Sequence, residues 1–92
     1  MIKSFRNKGL ELFATKGNAR KLSVQNPKRI ALILDLLEAA KRPSDMNLPG
    51  YRWHPLGEMA PGRYAVTASG NYRVTFAWDG DDAIDVDLED YH

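Results

Sequence analysis

The hydrophobic residues of this chain change their spacing once, and that change limits what the chain can fold into. Up to about residue 40 they recur at helical intervals, whereas beyond residue 50 they alternate with polar residues, as in half-buried strands. A chain of 92 residues supports little more than one core between two layers. We therefore expect one α+β domain, residues 1–92, with two N-terminal helices packed on one face of a small antiparallel sheet.

Two helices are predicted in the N-terminal half. The first covers residues 7–15 and stops at Gly17, because glycine readily adopts the left-handed conformation that ends helices. The second begins at Asn26 and Pro27, a capping residue and a first-turn residue, and ends before Pro43. Its apolar residues form more than one stripe: Ile30, Leu32, Ile33, Leu34, Leu36, Leu37 and Ala39. Such a helix needs cover on two sides, from the first helix or from a protein partner.

Alternation predicts the strands. Residues 2–5 read as a short first strand, and residues 51–56 as a strand that Pro55 confines to a sheet edge or a strand end. Residues 62–68 and 71–78 alternate cleanly, and a three-residue turn, Ser69–Asn71, would pair Val66 with Val74 and Ala68 with Tyr72. In the last strand the alternating apolar residues are Ile84, Val86 and Leu88. One face of this sheet should pack on the helices, and the other should be polar and open.

Charge is divided along the chain. All 13 Lys and Arg residues precede residue 74, whereas residues 79–92 hold seven acidic residues and no basic one. The acidic end could protect an edge strand from pairing with other chains, or the basic body could bind a polyanion. The charge pattern alone leaves both interpretations open.

The composition also excludes some classes of protein. Without cysteine, the chain has no disulfide framework, thiol nucleophile or thiolate zinc site. No apolar run is long enough for a signal peptide or a membrane span. We expect a cytoplasmic protein that does not associate with a membrane.

The polar face of the sheet is where chemistry is expected. If Val74 faces the helices, Arg73 faces away from them, and antiparallel pairing brings the end of the last strand near Arg73. The two histidines of the chain, His54 and His92, both flank this region. Imidazole exchanges protons near neutral pH, a guanidinium binds two phosphate oxygens at once, and the ring of Tyr91 could stack on an unpaired base. The set suits metal-free RNA cleavage.

Taken singly, each residue also has an ordinary explanation. His54 could cap a strand end, Arg73 could be a solvated strand residue, Asp90 could be another solubilising charge, and Tyr91 and His92 could be packing and a chain end. Two histidines are too few to indicate a metal site, so we expect neither a metal nor a cofactor.

Together the motifs resemble those of HigB toxins, of the RelE superfamily of bacterial toxin–antitoxin systems. The resemblance runs through nearly the whole chain, in the segments Met-Ile-Lys-Ser-Phe, Tyr-Arg-Trp-His-Pro-Leu, Asn-Tyr-Arg-Val-Thr-Phe-Ala-Trp and the final Glu-Asp-Tyr-His. It implies a RelE-like fold, metal-independent cleavage of mRNA in the ribosomal A site, and inhibition of translation. It also implies a HigA-like helix-turn-helix antitoxin as partner. The toxin would contact operator DNA only through this antitoxin.

The resemblance assigns roles residue by residue. Five residues match the positions that this family uses at its active surface: His54, Arg73, Asp90, Tyr91 and His92. Lys16, Arg20 and Lys21 would contact ribosomal RNA. Which histidine acts as the acid and which as the base is left open.

One position departs from the family pattern. Some relatives have a lysine just after His-Pro-Leu, where this chain has Gly57. Either Arg52 or Arg63 substitutes for that lysine in binding the RNA phosphate, or the activity is weaker, and the sequence leaves these alternatives open. Two other functions stay open at this point. One is a non-catalytic inhibitor that binds RNA or the ribosome, and the other is a degenerate toxin that acts only as co-repressor with its antitoxin.

Overall fold

The computed structural model describes residues 1–22 and 26–90, and it places two helices before a four-stranded antiparallel sheet. The helices are α1 (Lys8–Lys16) and α2 (Pro27–Ala39). The strands lie side by side in chain order: β1 (His54–Pro55), β2 (Arg63–Ser69), β3 (Tyr72–Asp79) and β4 (Asp82–Asp90). Short 3-10 helices, Pro43–Met46 and Gly57–Met59, flank β1. The predicted α+β arrangement is confirmed.

Both helices begin at asparagine caps. The side chain of Asn7 accepts a hydrogen bond from the backbone N–H of Leu10, and the side chain of Asn26 accepts one from that of Arg29. Gly17 ends α1 in the left-handed conformation, with φ of 68°. The capping residues read from the sequence therefore set these helix ends. No helix in the described part of the chain is long and apolar enough to cross a membrane.

The core lies between α2 and one face of the sheet, here called the inner face. α2 contributes Ile30, Ile33 and Leu37, and the strands contribute Val66, Val74, Phe76 and Val86, all completely buried. α1 covers part of α2 through the buried Leu10, whereas Leu32 keeps half of its surface exposed. A row of rings, Trp53–Tyr64–Phe76–Trp78, crosses the inner face with centroids 5.7 to 6.1 Å apart.

The turn between β2 and β3 differs from the prediction. Val66 pairs with Val74 as expected, but Ser69, and not Ala68, pairs with Tyr72. The turn has two residues, Gly70 and Asn71, and a β-bulge between Thr67 and Ser69 absorbs the extra residue. The bulge keeps both apolar sets on the inner face, which a regular ladder with a two-residue turn would not do.

A second bulge changes which residues of β4 face the core. Thr75 pairs with Asp87, but Ala77 pairs with Ile84, so β4 holds one extra residue at this point. Asp85 adopts φ of 50° there. As a result Ala83 and Val86 lie in the core and Ile84 does not. The expectation that Ile84 shares a face with Val86 and Leu88 was wrong, because the bulge breaks the alternation.

The N-terminal residues lie along β4 without forming a regular strand. Ile2 and Phe5 make isolated parallel bridges with Ala83 and Val86. The backbone N–H of Lys3 donates to the carbonyl oxygen of Ala83 at 2.8 Å. The predicted strand at residues 2–5 is therefore a parallel edge segment that covers the outer edge of β4.

Candidate active site

Strand pairing places His54 and Arg73 on the same side of the sheet. His54 is the Cα partner of Ala65, and Arg73 is the Cα partner of Thr67. Residues 65 and 67 share a face, and Val66 between them points into the core. His54 and Arg73 therefore project from the face opposite the helices, here called the outer face, as the sequence predicts.

His54 and Arg73 line one cleft on that face. The cleft has a volume of about 470 Å³, and its lining residues are Arg52, His54, Val66, Thr67, Gly70, Asn71 and Arg73. Because neighbouring strands lie roughly 4.8 Å apart, the backbones of β1 and β3 are separated by roughly 10 Å across β2. An imidazole from one side and a guanidinium from the other can therefore reach one small anionic group between them.

The ring of His54 is held by the backbone. Its Nδ1 atom lies 2.8 Å from the carbonyl oxygen of Arg52. A carbonyl oxygen only accepts, so Nδ1 carries the proton in the neutral ring and Nε2 is left as the acceptor. The side chain of His54 is exposed. Nε2 is thus the nitrogen that can exchange a proton with a bound molecule.

The loop before β1 makes this contact possible. Arg52 adopts a left-handed backbone conformation, with φ of 53°, which turns its carbonyl oxygen back toward the residue two positions on. Non-glycine residues seldom adopt this conformation, and they cluster at functional sites where their surroundings hold them. The backbone N–H of Thr67 donates to the carbonyl oxygen of Tyr51 at 2.8 Å and ties the loop to β2.

The end of β4 lies beside the cleft. Glu89 is the Cα partner of Arg73, and Asp90 is the Cα partner of Tyr72, next to Asn71 of the cleft lining. Arg73 is half-buried and Asp90 is exposed. The other two predicted catalytic residues, Tyr91 and His92, lie outside the described residues.

The centre of the outer face is not open, contrary to the prediction. Ala65 and Thr75 are completely buried, and Arg63 is only 8% exposed. The Nη2 atom of Arg63 donates to Thr75 Oγ1 and to the carbonyl oxygen of Asp85, both at 2.9 Å, and Thr75 Oγ1 donates to Glu89. The Arg63 side chain therefore lies across the sheet and covers its centre.

Burial lowers the pKa of the Arg63 guanidinium, and the nearby charge of Arg6 adds to this effect. The carboxylates of Glu89, Asp87 and Asp85 act in the opposite direction. Nη2 donates to two protein acceptors, and Nη1 is buried without a partner among the described residues, so the group is poorly placed to bind a phosphate from solution. RNA binding by Arg63 stays a prediction, and its surroundings favour a structural role.

The basic loop is ordered by its own backbone contacts. The backbone N–H of Arg20 donates to the side chain of Asn18, and that of Leu22 donates to the carbonyl oxygen of Ala19. Gly9 of α1 lies so close to this loop that an added Cβ would be 2.6 Å from the carbonyl oxygen of Lys21. The three predicted RNA-binding residues of the loop are exposed but do not line the cleft: Lys16, Arg20 and Lys21.

Sequence reasoning missed two neutral residues of the cleft and offered a third, Arg52, only as a substitute cation. Thr67 and Asn71 line the cleft with Arg52, His54 and Arg73. The strand register shows that Thr67 lies opposite Arg73. Gly57, in the position of the family lysine, is exposed at the start of a 3-10 helix with φ of 62°. Arg52 is therefore better placed than Arg63 to replace that lysine.

A second cavity, of about 490 Å³, offers different chemistry. It lies between the helices and the N-terminal segment, and its lining includes Ile2, Phe5, Phe13 and Leu34 with the carboxylates Asp35 and Glu38. An apolar groove with acidic residues suits a polyanion poorly. In residues 1–22 and 26–90, no three His, Cys, Asp or Glu side chains are grouped as metal ligands would be.

Comparison with known proteins shows the family of this chain. A curated relative, "Endoribonuclease HigB" of Proteus vulgaris, is 36% identical over 92 residues, which is 100% of both chains. The family model described as the RelE-like toxin of the type II toxin–antitoxin system HigB matches residues 3–92. The chain therefore belongs to the HigB-like family of RelE-like toxins of type II toxin–antitoxin systems.

Proposed function

We propose that this protein is a metal-independent endoribonuclease that cuts mRNA in the ribosomal A site and so inhibits translation. The observation that carries the proposal is the shared cleft of His54 and Arg73, which lie on the outer face on the two strands that flank β2. The name of the 36% identical relative and the family membership support the same activity. Dependence on the ribosome rests on the likeness to the family.

The proposed reaction needs a base, an acid and a cation. The base removes the proton of a ribose 2′-hydroxyl, and the 2′-oxygen attacks the adjacent phosphorus. The bond from phosphorus to the 5′-oxygen then breaks, and the acid protonates that oxygen. The products are a 2′,3′-cyclic phosphate and a 5′-hydroxyl, so no water or metal enters the step.

The described residues fit two parts of this scheme, one proton-transfer group and the cation, and two more residues support them. His54, through Nε2, is one of the two proton-transfer groups, and Arg73 stabilises the negative charge on the phosphorane. Arg52 binds a neighbouring phosphate in place of the family lysine. Asp90 orients the groups that follow it at the end of β4.

Tyr91 and His92 complete the proposed site. β4 reaches Asp90 opposite Tyr72, beside the β2–β3 turn that lines the cleft. His92 is then the second proton-transfer group, and Tyr91 stacks on a base of the message.

The family membership implies an antitoxin partner. We propose that this partner is a helix-turn-helix protein of the HigA type, that the toxin meets operator DNA only through it, and that the toxin acts in the cytoplasm. The exposed basic loop, with Lys16, Arg20 and Lys21, is proposed to contact ribosomal RNA.

The test is inducible expression in bacteria with mapping of transcript ends. The wild-type protein should arrest growth and produce new mRNA ends that carry a 5′-hydroxyl. His54→Ala and His92→Ala should each lower the cleavage rate by about 100-fold or more, and arrest should disappear. Lys41→Ala, a change at an exposed lysine outside the cleft lining, is the control and should leave arrest intact.

Two results would contradict the proposal. If growth stops while transcripts stay whole, the protein inhibits by occupancy and is not a nuclease. If cleavage leaves 5′-phosphates, or if both histidine variants cut as the wild type does, the proposed site is wrong.

A further inference from the structure

Arg29 of α2 links the helix layer to the cleft. Its Nη2 atom donates to the carbonyl oxygen of Gly50 at 3.0 Å and to the carbonyl oxygen of Thr67 at 3.2 Å. Its guanidinium carbon lies 4.5 Å from the ring centroid of Tyr51, which is itself buried. One guanidinium group thus contacts the loop before β1 and the strand β2 together.

The two carbonyl groups belong to opposite sides of the cleft. Gly50 precedes the loop that leads to Arg52 and His54, whereas Thr67 lies in β2 as the Cα partner of Arg73. The distance from the His54 loop to the strand beside Arg73 therefore depends on a side chain that is not itself part of the cleft lining.

The loop that Arg29 holds has an uncommon backbone. Gly50 has φ of 86° and Arg52 has φ of 53°, and the second value is unfavourable for a residue with a side chain. Such a conformation persists when neighbouring contacts restrain it. Here the restraints are the bond to Gly50, the ring of Tyr51 beneath the guanidinium, and the bond from Thr67 to Tyr51.

This backbone decides the state of the catalytic imidazole. The carbonyl oxygen of Arg52 is the acceptor for Nδ1 of His54, at 2.8 Å, in an arrangement in which Arg52 is left-handed. Without this acceptor the ring can rotate, and a neutral imidazole returns to the Nε2–H tautomer that free histidine prefers. In that tautomer Nε2 cannot accept a proton.

We propose that Arg29 is a positioning residue: by holding Gly50, Tyr51 and Thr67 together, it keeps His54 in the Nδ1–H tautomer with Nε2 directed at the Arg73 side of the cleft. The effect of Arg29 on the reaction rate rests on the proposed nuclease function, whereas its effect on the imidazole does not. Lysine would keep the charge but lose the planar, doubly donating group that stacks on Tyr51.

The direct measurement is ¹⁵N NMR of the histidine rings in the full chain, with His92→Gln used to assign the signals. Wild-type His54 should be mainly Nδ1–H in its neutral form. Arg29→Met should shift it toward Nε2–H, and Arg29→Lys should lie between the two. Lys28→Met, the neighbouring exposed position of α2, is the matched control and should leave the wild-type signal unchanged. Circular dichroism identifies the variants that fold, and Arg29→Lys remains informative if Arg29→Met does not.

A kinetic measurement separates positioning from stability. In cleavage of a ribosome-bound message, Arg29→Lys should lower kcat on the order of 10-fold with KM little changed, because a small misplacement weakens the step itself. Free guanidinium ion should restore part of the rate to Arg29→Ala. If the folded variants keep both the wild-type tautomer and the wild-type kcat, the positioning role is wrong. If the wild type itself does not cut RNA, the nuclease proposal fails and the NMR result alone decides the role of Arg29.

Discussion

Two arginines on the outer face of the sheet have opposite surroundings. Arg73 of β3 is half-buried and lines a cleft with an exposed histidine. Arg63 of β2 is 8% exposed and donates to Thr75 and to the backbone of Asp85. Both belong to the same face, so the face on which an arginine lies does not decide its role.

The difference comes from where each arginine lies along the sheet. The Arg63 side chain reaches across β3 to the β4 bulge, where Asp85 is left-handed and its carbonyl oxygen accepts from Arg63. On the other side of Arg73, the turn Gly70–Asn71 ends the sheet and leaves space for a ligand. The bulge therefore provides a backbone acceptor for Arg63, whereas Arg73 lines the cleft at the end of the sheet.

The largest expected effect in this comparison is the loss of RNA cleavage when Arg73 is replaced. We expect Arg73→Ala to reduce cleavage by about 100-fold or more, because it removes the cation at the phosphorane. The free energy of unfolding in urea should fall by less than it does in Arg63→Met, since Arg73 is half-buried whereas Arg63 is buried. Single-turnover cleavage and urea titration of the same preparation check both statements. A large loss of stability with a normal rate would reverse the roles of the two arginines.

Arg63 should show the opposite pattern. Arg63→Met keeps the buried stem but removes the donors to Thr75 and Asp85, and we expect a loss of about 2 kcal/mol in the free energy of unfolding. Below the unfolding transition the cleavage rate should stay within a few-fold of wild type. Arg20→Met, at an exposed arginine, is the matched stability control and should change little. A folded Arg63→Met protein that has lost cleavage would place Arg63 in the site.

The sequence predicted the ends of the helices well, because a single capping or helix-ending residue determines each of them. Asn7, Gly17, Asn26 and Pro27 mark helix ends through local backbone chemistry, and the structure has them there. The bulges at Thr67–Ser69 and at Asp85 were not predictable in this way. A bulge depends on how two distant strands fit together, and the alternating pattern of Ile84, Val86 and Leu88 conceals it.

The candidate site was also predictable in part. His54 and Arg73 were identified by residue type and parity, and the register supports their placement in one cleft. The burial of Arg63, the left-handed Arg52 and the contacts of Arg29 depend on three-dimensional neighbours that periodicity does not encode. The supporting residues of a site are therefore harder to read from a sequence than the residues that carry its chemistry.

The smallest expected effect concerns Arg20, an exposed arginine. It lies outside the cleft lining and outside the hydrogen bonds of Arg63. If Arg20 contacts a phosphate of ribosomal RNA, Arg20→Ala should weaken ribosome binding a few-fold and raise KM while kcat stays constant. The slope of log affinity against log salt should become shallower by about one, because one fewer counterion is released. Lys41→Ala removes the same charge from another exposed position and should leave that slope unchanged. Equal slopes for the two variants would mean that the loop adds only general charge, and that specific contacts to RNA are confined to the cleft.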